Sequence, residues 1–166
     1  SDEEWKEVLE GIKGAIAELM AFRKQEGEAL AVKLSGNISN IAALLQSVEP
    51  YENERVEKIR ARITDSLEKL AGVDYDKNRL EQELIYYIEK LDVNEEKQRL
   101  TNHLKYFTET MDGDKGQGKK LGFIAQEMGR EINTLGSKSN HAEMQNIVVN
   151  MKDELEQIKE QVLNIM

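Results

Sequence analysis

Residues 118–138, GKKLGFIAQEMGREINTLGSK, gather Gln126, Glu127, Arg130, Glu131 and Asn133 on one short helical segment. Glu127 and Glu131 stand one helical turn apart with Arg130 between them, a spacing at which a divalent cation or a phosphate could meet the surface. The same spacing also describes a solvated face on which Arg130 pairs with Glu127, and periodicity alone leaves both readings open. A second cluster lies in EEKQRLTNH, where Glu96, Arg99 and His103 share a face. Histidine titrates near neutrality and arginine grips phosphate bidentately, so such a face can set a general acid or base beside a bound phosphate. A lone histidine at the edge of an apolar seam can equally be structural. Arg79, Gln82 and Glu83 in RLEQE make a third mixed group. Glu26 falls in an apolar stripe between Phe22 and Leu30, where a carboxylate is partly desolvated unless paired, and Gly27 beside it admits a close backbone. Either a salt bridge to Arg23 or another helix, or a functional carboxylate, fits there. His141, at a helix start, is assigned no role.

Other chemistries lack their residues. There is no glycine loop leading to a Lys-Ser or Lys-Thr pair, no HExxH, no nucleophile elbow and no cysteine at all, which removes disulfides and thiolate metal sites. A net charge of −9 argues against broad, sequence-independent binding to nucleic acid. The charge is uneven, however: Lys115, Lys119, Lys120, Arg130 and Lys138 face only Glu127 and Glu131 over residues 115–138, so contact with a polyanion is expected to be local to that stretch. No apolar run approaches the roughly 20 residues of a membrane span, and SDEEW is not a signal peptide. A soluble, cytoplasmic protein is the expectation, and the opening Ser1 suggests a piece of a longer one.

The elements that must position these groups read as helices throughout. Trp5, Val8, Ile12, Ala15, Leu19, Phe22, Leu30, Leu34, Ile38, Ile41 and Leu45 recur in steps of three and four, which predicts one long helix capped by Asp2 and continuing past four glycines. Pro50 opens a second helix with Val56, Ile59, Ile63, Leu67 and Leu70, ended by Gly72. A third starts at Asp74 or Asp76. Asp92 with Glu95 suggests a capping box before Leu100, Leu104 and Phe107, though a single bent helix would fit as well. Residues 111–118, MDGDKGQG, read as a loop, Gly136 to Asn140 as a turn, and Asn140 with Glu143 as a further capping pair. The expected fold is all-α: long helices packed as antiparallel hairpins with narrow, coiled-coil-like seams, a helical region over 1–112 and a C-terminal hairpin over 113–166, in one continuous structural unit.

RLEQE (79–83), LDVNEEKQRLTNHLKYF (91–107), GKKLGFIAQEMGREINTLGSK (118–138) and KEQVLN (159–164) together resemble the C-terminal region of the YicC-like endoribonuclease family, with QEMxRExNTxxSK as its most specific core. The resemblance implies a bacterial cytoplasmic endoribonuclease that cleaves structured RNA, assembles as a ring-like hexamer and depends on a divalent metal such as Mn or Mg, without a nucleotide cofactor. Chemistry laid over the matching positions gives RNA contact to Arg79, Arg99, Arg130 and Lys138, with Gln126 and Asn133 as amide donors. It gives catalytic work to Glu96, His103, Glu127 and Glu131, and metal binding to Glu26, Glu83 and Glu127. Two routes remain open: metal-assisted hydrolysis, or attack by the ribose 2'-hydroxyl with His103 as base. The family's N-terminal region, with its MTGYGR-like opening, is missing, and Ile165 and Met166 stand where the family commonly ends in an acid. A non-catalytic helical RNA-binding or assembly module is the rival reading, and a purely structural adaptor the third. Convergence of Glu26, Glu83, His103, Glu127 and Arg130 on one cleft would separate them.

Overall fold

The computed structural model describes residues 1–71, 77–113 and 116–165, and every regular element among them is a helix. These are α1 (Asp2–Ser47), α2 (Glu49–Ala71), α3 (Lys77–Leu91), α4 (Asn94–Met111), α5 (Gly118–Lys138) and α6 (Ala142–Leu163). The expected all-α fold is the one observed. The expected helix starts at Asp74 or Asp76, and the end at Gly72, lie outside the described residues.

The chain divides into two compact units, Ser1–Gly36 and Asn37–Met166. Within the first, Trp5, Val8, Ile12, Leu19 and Phe22, the front of the long apolar stripe, are exposed. The second unit has its own core. Ile59 and Ile63 of α2 pack against Leu80 and Leu84 of α3, with Leu67, Tyr87 and Leu91 around them. Helix α5 lies between α4 and α6, and its stripe of Leu121, Ile124, Met128, Ile132 and Leu135 is buried along its whole length. The last turns of α1 are tied to α6 by the buried Asn37, whose amide donates to Glu154 at 2.7 Å and to Gln157 at 3.1 Å.

Contacts fix the direction of packing. Gly122, Gly129 and Gly136 of α5 face Val162, Leu155 and Val148 of α6 in that order, so the two helices run antiparallel. Their seven-residue spacing keeps all three on one side of α5. A Cβ at Gly136 would come to 3.0 Å of Val148 and one at Gly129 to 3.3 Å of Leu155, so the missing side chains are what lets α6 approach.

Helix ends depart from the sequence reading by a residue or two. Val93, not Asp92, precedes α4; Asp92 Oδ1 accepts from the Asn94 N–H two residues on, a local turn rather than a capping box. Helix α5 runs through Gly136 to Lys138 instead of turning there. His141, not Asn140, caps α6: its Nδ1 accepts from the Glu143 N–H at 3.2 Å.

Candidate functional site

Helices α4 and α5 bury Leu100, Leu104 and Phe107 against the apolar stripe of α5, which turns the polar residues at the edge of that seam toward one another. Lys138 reaches Glu96, Glu131 reaches His103 and Lys120 reaches Tyr106, so α4 and α5 are antiparallel, with the first two pairs in one register. The result is an open pocket of about 490 Å³ lined by Glu96, Arg99, Asn102, His103, Glu127, Arg130, Glu131 and Thr134. The two clusters that periodicity placed on separate helices thus line one pocket.

At its centre His103 Nδ1 stands 2.9 Å from Glu131 Oε1. Glu131 is nearly buried, its side chain 7% exposed, while His103 is 28% exposed. The ring N–H is not aligned on the oxygen well enough for a hydrogen bond, so the contact is electrostatic at hydrogen-bond distance. With Nδ1 turned to the carboxylate, Nε2 is the nitrogen left for other work. Glu131 Oε2 and Glu96 Oε2 are both buried without a hydrogen-bond partner among the described residues.

The flanks carry cations. Arg130, strongly exposed, lies 3.5 Å from Glu127, and Arg99 pairs with Glu95 one turn earlier on α4. The Thr134 hydroxyl donates to the Arg130 carbonyl. At the C-terminal end of α5, Lys138 Nζ donates to Glu96 Oε1 at 2.8 Å and to the Asp92 carbonyl at 3.1 Å. Arg55, buried beneath, donates to the Lys138 carbonyl at 2.8 Å and the Leu91 carbonyl at 2.6 Å, which fastens α2 to two helix ends. Burial pulls the Arg55 guanidinium below its ordinary range, opposed by Glu52 and Asp92. At the other end, Lys120 Nζ sits 5.0 Å from the centre of the Tyr106 ring, and Phe123 is exposed one turn before Glu127.

Of the five residues expected to converge, His103, Glu127 and Arg130 line this pocket. Glu83 lies on α3, 3.7 Å from Arg79, and lines no part of it. Glu26 belongs to the Ser1–Gly36 unit and is exposed rather than desolvated in an apolar stripe. Gln126 and Asn133 are exposed on α5 outside the pocket. Glu96, Arg99 and Glu131 are in it, and Lys138 is engaged with Glu96. Buried mutual pairing of Gln126, Glu127 and Arg130, which would favour an adaptor, is not what is seen. Sequence reasoning did not single out Asn102, Tyr106 or Phe123, and named Lys120 only as one of a basic stretch. An aromatic one turn from Glu127 and off the buried stripe was the available signal for Phe123.

Among the described residues, no group of three or more His, Cys, Asp or Glu side chains could hold a metal ion. The carboxylates near His103 therefore do not amount to a coordination set as they stand.

A family model described as "Endoribonuclease YicC-like, C-terminal" matches residues 48–166, most of the chain and all of the α4–α5 pocket. The chain belongs to the YicC-like endoribonuclease family. Among its YicC-like relatives, a probable endoribonuclease YicC of Clostridioides difficile is 34% identical over 165 residues, covering 97% of this chain and 56% of that protein. Another, of Haemophilus influenzae, is 32% identical over 160 residues, 96% of this chain and 55% of that protein. The chain thus spans a little over half the length of these YicC relatives. Among the described residues, no helix is long and apolar enough to cross a membrane.

Proposed function

We propose that the α4–α5 groove is the cleavage site of an endoribonuclease acting on structured RNA, with His103 as its general base. The observation that carries this reading is the His103–Glu131 pair at 2.9 Å in an open groove flanked by Arg99 and Arg130. Family membership supports RNA as the substrate.

The Glu131 carboxylate beside Nδ1 favours the tautomer protonated there, which leaves the lone pair on Nε2 for the substrate, and it stabilises the imidazolium that forms. Nε2 takes the proton of a ribose 2'-hydroxyl, and the 2' oxygen attacks the adjacent phosphorus. The bond from phosphorus to the 5' oxygen breaks, that oxygen takes a proton from solvent, and the products carry a 2',3'-cyclic phosphate and a 5'-hydroxyl. Arg99 and Arg130 oppose the charge that builds on the phosphorane oxygens. Glu127 holds Arg130 at the rim. Among the described residues the side chains form no three-ligand set for a divalent ion, so His103 and the arginines carry the step.

Phe123 and Tyr106, the latter under Lys120, extend the groove with exposed rings on which unpaired bases can stack, worth about 1–3 kcal/mol per base. Assembly into a homo-oligomer belongs to the same proposal, as does a cytoplasmic location.

The test is cleavage of an RNA hairpin by the full-length parent, wild type and His103→Ala, followed by analysis of the new ends. A cyclic phosphate and loss of roughly 10²–10⁴ in rate are expected. Undiminished cleavage by His103→Ala, or products with a 3'-hydroxyl and 5'-phosphate, would overturn the mechanism. Hairpin binding without turnover in the wild type would favour the non-catalytic module.

A further inference from the structure

A second pocket, of about 160 Å³, lies between α2 and the start of α6 and is lined by Arg55, Lys58, Ile59, Arg62, Asn140 and His141. We propose that it binds a phosphate-class oxyanion.

Three observations meet there. First, the walls are basic. Lys58 pairs with Glu54 at 3.1 Å, but Arg62 has no ion-pair partner among the described residues. Second, two donors nine-tenths or more buried line the pocket without a hydrogen bond of their own, Arg55 Nε and His141 Nε2. The state of His141 follows from its neighbours: Nδ1 accepts from the Glu143 N–H, so in the neutral ring the proton sits on Nε2 and makes it a donor. That Nε2 lies 3.4 Å from Glu54 Oε2 without an aligned hydrogen bond, and the face of the ring is covered by Tyr51, centroids 5.3 Å apart. Third, α6 begins at this wall, and the first turn of a 22-residue helix presents partial positive charge.

Buried donors without acceptors are rare in folded proteins and call for an acceptor. One with oxygens on several sides and net negative charge satisfies guanidinium, imidazole and ammonium groups together, which describes a tetrahedral oxyanion. The space is that of about five waters at roughly 30 Å³ each, enough for the five heavy atoms of a phosphate. The acids nearby are Glu54, paired with Lys58 and beside His141, Glu143 in the first turn of α6, and Glu52 and Asp92, whose charges act on Arg55; an entering anion takes the place of Glu54 beside His141 and Lys58.

The shared chemistry is a phosphate group, supplied either by an RNA strand or by free phosphate or a phosphomonoester. The site itself does not depend on the nuclease reading. Titration of the chain with inorganic phosphate at constant ionic strength, with chloride as control, is followed by ¹H–¹⁵N spectra. Saturable shifts at the Asn140, His141 and Glu143 amides are expected, with affinity about tenfold lower in Arg62→Gln and in Lys58→Gln, each of which loses a charge-assisted contact. Both side chains are exposed, so melting temperatures should hold and unfolding does not confuse the result. Absence of saturation at roughly 10 mM, tenfold above a millimolar Kd, an equal response to chloride, or undiminished binding by Arg62→Gln would overturn the site. Hairpin RNA separates the sources. If Arg62→Gln weakens RNA binding and lowers its salt slope by about one, the phosphate belongs to the strand. If only inorganic phosphate binding falls, the ligand is free. His103→Ala should leave phosphate binding unchanged, so failure of this proposal and failure of the cleavage mechanism are distinct results.

Discussion

Glu131 presents one oxygen to His103 and keeps the other buried without a partner, an arrangement costly enough to need a reason. If its role is to orient the imidazole, Glu131→Gln should lower kcat for hairpin cleavage on the order of tenfold or more while KM changes little, because the loss is felt when His103 becomes charged in the transition state. Single-turnover rates against RNA concentration measure that split; a change confined to KM would make Glu131 a binding residue. Neither partner advertises the other in the sequence, since 28 positions separate them and only the antiparallel register of α4 and α5 brings them together. Glu26 misled for the complementary reason: a place in an apolar stripe implies desolvation only if the stripe is covered, and around Glu26 it is not. At Glu54 the charge pattern gives a pH effect. Lys58 first, and His141 second, hold its carboxyl below the ordinary value of 4.5. A carboxylate lowered in the folded state stabilises above its unfolded pKa, and that contribution disappears as pH falls through the lowered folded value. Melting temperatures of wild type should therefore fall more steeply than those of Glu54→Gln on acidification below about pH 4.5, by a small margin because Glu54 is solvent-exposed.

The apolar periodicity of α4, α5 and α6 made these helices legible before any coordinates, since steps of three and four have only one helical solution. What periodicity hid was the role of glycine. Gly136 read as the start of a turn, and Gly122 and Gly129 drew no reading, but the seven-residue spacing of the three is a seam that admits α6 at close range. Gly136→Val should destabilise the chain by about 1–3 kcal/mol by overpacking against Val148, visible as a lower urea midpoint at unchanged m-value. Arg55 tests the packing at the same, C-terminal end of α5. Removing it as Arg55→Met leaves the Lys138 and Leu91 carbonyls without their donor, a loss of roughly 2–4 kcal/mol by the same assay. The helix start at Ala142 was misread because neighbouring side chains compete to cap the same N–H groups, and sequence does not say which wins; at Asn94 the residue before the helix, Val93, offers no side-chain cap at all. His141 took the place that Asn140 was expected to hold.

The Asn37–Met166 unit buries its own core, whereas Ser1–Gly36 exposes large side chains in a regular order. Trp5, Ile12 and Leu19 recur at seven residues, as do Val8, Ala15 and Phe22, which is the two-row pattern of a coiled-coil seam. Trp5 is 63% exposed and Phe22 56%, and a contiguous apolar row of this kind marks an interaction surface. The row ends where Glu26 takes the next position after Leu19, so the seam has a natural limit. A second copy of the chain is the occupant consistent with the homo-oligomer proposed for the family, because a heptad row complements itself. Ile12→Glu with Leu19→Glu places like charges on that row and should reduce the particle mass in sedimentation equilibrium to that of a single chain. Helical circular dichroism should persist, since the core of residues 37–166 contains neither position. A wild-type chain that sediments as a monomer at all concentrations, or a double variant of unchanged mass, would show that this face does not join copies of the chain.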